Sequence, residues 1–136
     1  MKSEVIGVTT GRREDVHDIT AACADFTERA AGGGMGDEHV QQAVATAGLA
    51  LMELGAGSDA DLLAALAEIL PADDRWRHRH GSRGHGRAHV LPALIAPFLV
   101  IPVLAGRMAL GTWQSVALID LNVDNTDRQV RLSYLG

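Results

Sequence analysis

The sequence contains one cysteine, Cys23, so it has no internal disulfide and no Cys-x-x-Cys pair for metal or redox work. That scarcity points to a reducing cytoplasm as the expected compartment. A long apolar run is also missing. The most apolar stretch, residues 90–105, is too short to span a bilayer and is interrupted by Pro92, Pro97 and Pro102. It reads as a buried segment, with no membrane partner. The first ten residues lack the basic, apolar and small-residue succession of a signal peptide. Positive charge is not in excess: a net charge of −5 and a pI near 5.6 give nucleic-acid binding no electrostatic support. No internal period recurs, which excludes a solenoid. There is no GxSxG, no P-loop and no cysteine–histidine pattern of a thiol enzyme. Gly84-His85-Gly86 lacks the strand–GxGxxG–helix setting of a dinucleotide site.

What remains is a chain of 136 residues, 47% hydrophobic and 21% charged, the size and composition of one globular domain over 1–136. Residues 4–9 read as a β-branched strand. After a charged turn at 11–15, Ile19, Ala22, Cys23, Phe26 and Ala30 recur at helical spacing, and Gly32-Gly33-Gly34 ends that helix. Residues 40–46 and 49–54 read as two strands around Ala47-Gly48. A second helix follows: Ser58 as N-cap, Asp59 and Asp61 in its positive first turn, an apolar stripe from Leu62 to Leu70, and Pro71 as the stop. A polar loop of about fifteen residues comes next, long for a compact domain. Beyond it lie a short turn or helix at 89–95, a strand at 99–103, a tight turn at Ala105-Gly106, and strands at 107–110, 112–121 and 128–135. The segment 113–121 is apolar on both faces and so belongs at a sheet centre, whereas 128–135 alternates and meets water on one face. This order is not the βαβ alternation of a doubly wound sheet. It fits an α+β, mostly antiparallel β-sandwich with two main helices.

The chemistry concentrates in residues 75–89, where five arginines, four histidines and three glycines occur within fifteen positions. Arginine forks match phosphate oxygens, glycines let backbone N–H groups approach an anion, and histidine exchanges protons near neutrality. The segment is therefore either a phosphate- or pyrophosphate-binding loop or a solvated basic one. His78/His80 and His85/His89 form close pairs, and helical i, i+4 spacing would set His85 and His89 on one face as candidate metal ligands. Gly86 between them disfavours that helix. His17 and His39 read as surface or strand positions. Glu53 stands either at a strand end in water or in a cleft where burial would suit it to acid–base work. Asp120 poses the same choice or pairs with an arginine. Trp113 and Gln114 offer a ring and an amide suited to a heterocycle, or a core tryptophan.

The run Pro102-Val103-Leu104-Ala105-Gly106-Arg107-Met108-Ala109-Leu110-Gly111-Thr112-Trp113-Gln114 resembles the signature of the YjbQ-like family, a proline-valine strand, a glycine turn and then GTWQ. The similarity extends to Thr46-Ala47-Gly48, Glu53, the helix 59–70, the segment 71–75, His78, 84–86, His89, Pro92 and 127–132, nearly all of the chain after about residue 35. Members are called secondary thiamine-phosphate synthases. The resemblance implies an α+β sandwich assembled as a homotrimer with pockets near subunit boundaries. The implied transferase reaction displaces pyrophosphate from an aminopyrimidine methyl pyrophosphate by a thiazole phosphate nitrogen, with Mg²⁺ or another divalent metal bridging the phosphates. Carried over by position, His85, His89 and Glu53 would be the catalytic set. Arg83 and Arg87 would clamp the anion, and Gln114 and Trp113 would meet the small phosphorylated ligand.

The chain also departs from the family pattern. Val44 stands where a histidine is usual, Ala88 where members often carry Asn or Asp, and Phe98 and Val100 where they carry Ser and Thr. If these positions share the cleft, they weaken the chemistry there. The expected activity is therefore thiamine-phosphate-synthase-like. The alternatives are a non-catalytic trimeric ligand-binding scaffold and a metal-dependent phosphoester hydrolase.

Overall fold

The computed structural model describes residues 1–42 and 45–136. Its strands are β1 (Lys2–Thr9), β2 (Asp15–Asp18), β3 (Gly36–Gln42), β4 (Ala47–Met52), β5 (Phe98–Leu104), β6 (Arg107–Met108), β7 (Ser115–Asp120) and β8 (Asp127–Leu135); its helices are α1 (Thr20–Ala31), α2 (Ser58–Ile69) and α3 (His85–Leu94). A five-stranded sheet runs β1-β8-β3-β5-β6 and a three-stranded sheet β2-β7-β4. Every pairing is antiparallel. Among the described residues no helix is long and apolar enough to cross a membrane.

The layering follows from the two-residue period of β7. Val116 and Leu118 pack with Cys23 and Phe26 of α1 and with Val40, Ile101 and Leu132 of the large sheet. Ala117 and Ile119 point the other way, onto Leu66 and Leu70 at the end of α2 and Ala88 and Leu91 of α3. The small sheet thus lies between the large sheet and α1 on one side and α2 and α3 on the other. Its central strand is apolar on both faces, as its sequence requires.

Several expected boundaries move, each for a visible reason. The strand expected over 112–121 begins only at Ser115, because Gln114 folds back: its Oε1 accepts the Gly111 N–H at 2.8 Å and its own N–H donates to the Gly111 carbonyl at 3.0 Å. The strand expected over 107–110 is only two residues long. β4 includes Ala47 and Gly48 instead of turning there. A side chain at 48 would lie 2.6 Å from the Ile95 carbonyl, so the small residues mark a close approach to the chain leaving α3. β2, too polar to signal itself, pairs along the edge of β7. Helix α2 is capped by Gly57 at φ 99, and Ser58 is already helical and makes no capping bond. The end of α1 at Gly32, with φ 56, is where the glycine run placed it.

Two polar groups are locked inside. Asp120 and Arg128 have fully buried side chains and form a two-point ion pair at 2.8 and 2.9 Å. Of the two readings of Asp120, pairing with an arginine is the one observed. Under α1, Glu38 is buried beside Thr27 and Cys23. Burial pushes both the Glu38 carboxyl and the Cys23 thiol up from their ordinary values, making each harder to ionise. The Thr27 hydroxyl faces two acceptors, Glu38 Oε2 and the Cys23 carbonyl, the latter at 2.9 Å. The remaining oxygen, Oε1, has no partner.

Candidate functional site

Helix α3 begins four residues earlier than expected, at His85, despite Gly86. The reason is packing. A side chain at 86 would meet Trp76 Cβ at 2.5 Å and the His78 carbonyl at 2.6 Å, so the glycine lets the preceding loop lie directly on the helix. Trp76 anchors that loop, its indole N–H donating to the Pro71 carbonyl at 2.9 Å while its ring joins the α2–α3 core. The helical start sets His85 and His89 one turn apart on one face, their Nε2 atoms 3.1 Å from each other. The loop brings His78 and His80 over them, with Nε2 atoms 2.5 Å apart. The four rings form one cluster, with centroids 4.1 to 6.0 Å apart.

The cluster is braced from the β7–β8 connection. The Asp124 carboxylate accepts the Ser82 N–H at 3.0 Å and its hydroxyl at 3.1 Å, and lies 2.6 Å from His85 Nδ1. Gly81, at φ 80, leaves no space for more, since a Cβ there would stand 2.5 Å from Asp124 Oδ2. Asp124 is itself held through Asn122: its N–H donates to Asn122 Oδ1, and the Asn122 N–H donates to Asp120 Oδ1, both at 2.9 Å. The hydrogen bonds from Ser82 keep Asp124 ionised by lowering its proton affinity. His89 and His78 are pushed below the ordinary histidine value, first by desolvation and then by the neighbouring imidazoles, so both are neutral at pH 7. A carboxylate at Nδ1 of His85 favours the tautomer with its proton there and the lone pair on Nε2, facing the other rings.

Two clefts open on the cluster. One, of about 360 Å³, is bounded by His78, His85, Trp76, Arg79, Ser82 and Arg83, with Asp73 and Asp74 at its edge. The other, of about 280 Å³, is bounded by His80, His85, His89, Thr46, Asn122 and Asp124. Of the residues expected to act together, His85, His89 and Arg83 meet at this place. Arg83 is on the rim, largely exposed and 3.5 Å from Asp74. Arg87 is not. Its guanidinium is buried, donates to the Leu70 carbonyl at 2.8 Å and pairs with Glu14, tying the end of α2 to α3. Glu53 is exposed just beyond β4, Trp113 is 73% exposed, and Gln114 closes its own turn. None of these three lines either cleft. Ala88 lies in the α2–α3 core, and Phe98 and Val100 are exposed on β5, so these departures from the family pattern do not strip either cleft. Val44 lies outside the described residues. Asp124 and Asn122 carried no sequence signal, because their contacts with residues 78–89 arise only from the chain's passage between β7 and β8.

Fold and site together define an antiparallel α+β sandwich protein with a histidine cluster between two polar clefts. The chain belongs to the family described as UPF0047 protein YjbQ-like, whose model matches residues 4–136. It is 50% identical over 135 residues to a UPF0047 protein of Mycobacterium tuberculosis, covering 99% of this chain and 98% of that one. Among solved structures it resembles a YbjQ-like protein of unknown function from Sulfolobus solfataricus, with a TM-score of 0.91, 26% identity, and 99% and 96% of the two chains covered. A hypothetical protein of Aeropyrum pernix gives a TM-score of 0.89 at 29% identity, covering 100% and 99%.

Proposed function

We propose that the protein binds and transforms a small phosphorylated heterocycle at the histidine cluster, with thiamine-phosphate-synthase-type transfer as its reaction. The observation that supports this reading is the meeting of His85 and His89 at 3.1 Å beside a cleft rimmed by Arg79 and Arg83. In such a transfer the bond from the pyrimidine methyl carbon to the pyrophosphate oxygen breaks. The thiazole nitrogen supplies the electron pair for the new C–N bond, and pyrophosphate leaves with the electrons of the old one. Arg79 and Arg83 would meet the departing charge, and a histidine of the cluster would donate a proton to it. The cluster suits that role better than Glu53, which lines neither cleft.

The homotrimer is part of the same proposal. Phe98, Val100 and Leu104 are 57%, 46% and 56% exposed along one face of β5, an apolar stripe that a second copy would cover. Sedimentation would read three chains per particle; a monomer at all concentrations would remove this part.

Titration calorimetry with inorganic pyrophosphate tests the site. Wild type binds, and His89→Ala loses affinity at least about tenfold while keeping its circular-dichroism spectrum. No heat with wild type, or equal affinity in the variant, would overturn the proposal. Val44→His restores the family's usual residue and is expected to raise thiamine-phosphate synthase activity.

A metal-dependent phosphoester hydrolase is the second reading, favoured by the number of imidazoles that converge. A non-catalytic scaffold would bind pyrophosphate without turnover.

A further inference from the structure

We infer that His78, His80, His85 and His89 form a binding centre for one borderline transition-metal ion, zinc or a neighbour in its series, with Asp124 as the positioning residue behind it. The inference rests on geometry and donor type and does not depend on which phosphorylated ligand is bound. Each of the four histidines offers one ring nitrogen, and these atoms all lie within 4.8 Å of one another. Among the described residues no other set of three or more such side chains converges in this way. A tetrahedral zinc site with Zn–N bonds of about 2.0–2.1 Å needs nitrogens about 3.3 Å apart. The His85–His89 separation of 3.1 Å is already close to that.

The Nε2 atoms of His78 and His80 stand 2.5 Å apart and those of His85 and His89 3.1 Å apart. Lone pairs that close repel unless a proton or a cation lies between them. A cation of higher charge resolves the conflict. The orienting contact is present too. Asp124 lies 2.6 Å from Nδ1 of His85 and leaves Nε2 to ligate, the carboxylate–histidine–metal arrangement. Two ligands come from one helical face and two from a loop held down by Trp76 and Ser82, so the centre is largely formed before any ion arrives.

The donor set also decides against one expected ion. Magnesium requires oxygen ligands in near-octahedral array, and the cluster itself supplies only imidazole nitrogen. Nitrogen donors select zinc, cobalt, nickel, copper or iron. Four neutral ligands leave the ion's double positive charge intact. Both clefts open on it, with Arg79 and Arg83 beside one, so an anion completing the shell is the expected exogenous ligand.

The test uses tag-free protein, because an affinity tag of histidines would mask the result. Elemental analysis is expected to find about one equivalent of zinc or a neighbouring metal per chain and no magnesium. After stripping with chelator, cobalt(II) titration is expected to give the visible bands of a low-symmetry nitrogen site at the same stoichiometry. His85→Ala and His89→Ala lose the bound equivalent while keeping the native circular-dichroism spectrum. Asp124→Asn keeps the stoichiometry but weakens affinity about 10–100-fold, and the loss is smaller for a site that Asp124 does not orient. Wild type without metal and without cobalt bands overturns the inference, as does unchanged metal affinity in a folded His89→Ala variant. Pyrophosphate titrated into stripped and reloaded protein separates the two proposals. Binding by stripped protein sustains the phosphate site alone, and metal bound without pyrophosphate sustains the centre alone.

Discussion

Asp120 and Asp124 sit four residues apart on the same stretch of chain, and each holds a basic partner, yet the two pairs do opposite things. Asp120 meets Arg128 with both side chains fully buried and both oxygens engaged. The guanidinium's other nitrogen, Nη1, is buried without a partner and out of reach of solvent. Asp124 spends its oxygens on Ser82 and His85, is itself about one-third exposed, and leaves His85 Nε2 directed at three other rings beside two clefts. A closed polar set serves the fold, since breaking it strands a charge in low dielectric. An open one keeps a coordination position or proton site for something that arrives from solvent.

The sharpest way to break the comparison is at the closed pair. Arg128→Met leaves Asp120 buried and unpaired, and denaturant unfolding is expected to show a loss of about 3–5 kcal/mol. Adding Asp120→Leu should recover more than half of it. A single-variant loss under about 1 kcal/mol would mean that water reaches the pair.

A smaller effect is expected at Glu38, a second buried polar group. Its folded proton affinity is raised, so its contribution to stability is complete below its ordinary value of 4.5 and is lost as pH rises through the raised one. Urea midpoints of wild type should therefore carry a downward slope above pH 4.5 that Glu38→Gln lacks; parallel curves would place Glu38 in water.

His89 runs the other way. Its proton affinity is lowered, so its contribution is present above the ordinary value of 6.5 and lost as pH falls through the lowered one. His89→Ala should change stability at pH 7 by no more than about 1 kcal/mol and should flatten the acid side of the profile of metal-stripped protein. The least effect on folding is expected for Arg83→Ala. Its melting temperature should match wild type while pyrophosphate binding weakens, which separates cleft from core most cleanly.

Most of the fold was legible because its longest elements have a single period. The α1 stripe ending at the glycine run, the leucine stripe of α2, the alternation of β8 and the two-faced apolarity of β7 each read directly from the residues. β2 was not legible, because Asp-Val-His-Asp has no apolar period and becomes a strand only by pairing with β7. The site was half legible. The density of histidine between 78 and 89 marked the place, and the i, i+4 spacing of His85 and His89 anticipated their shared face. What composition cannot show is direction. Arg83 and Arg87 are alike in the sequence, but helical phase turns Arg87 into the α2–α3 joint against Leu70 and Glu14. Asp124 was illegible for a different reason. Its role depends on contact with residues some forty positions earlier in the chain.

The short run from Asp120 through Asn122 to Asp124 has a practical consequence. It is one hydrogen-bonded rod, fixed at its inner end by a guanidinium and touching an imidazole at its outer end. Whatever occupies the cluster pulls on a rod rooted in the interior, so occupancy and resistance to heat are coupled by mass action. A thermal-shift screen of ions and phosphate esters would therefore report on this site without any knowledge of its reaction.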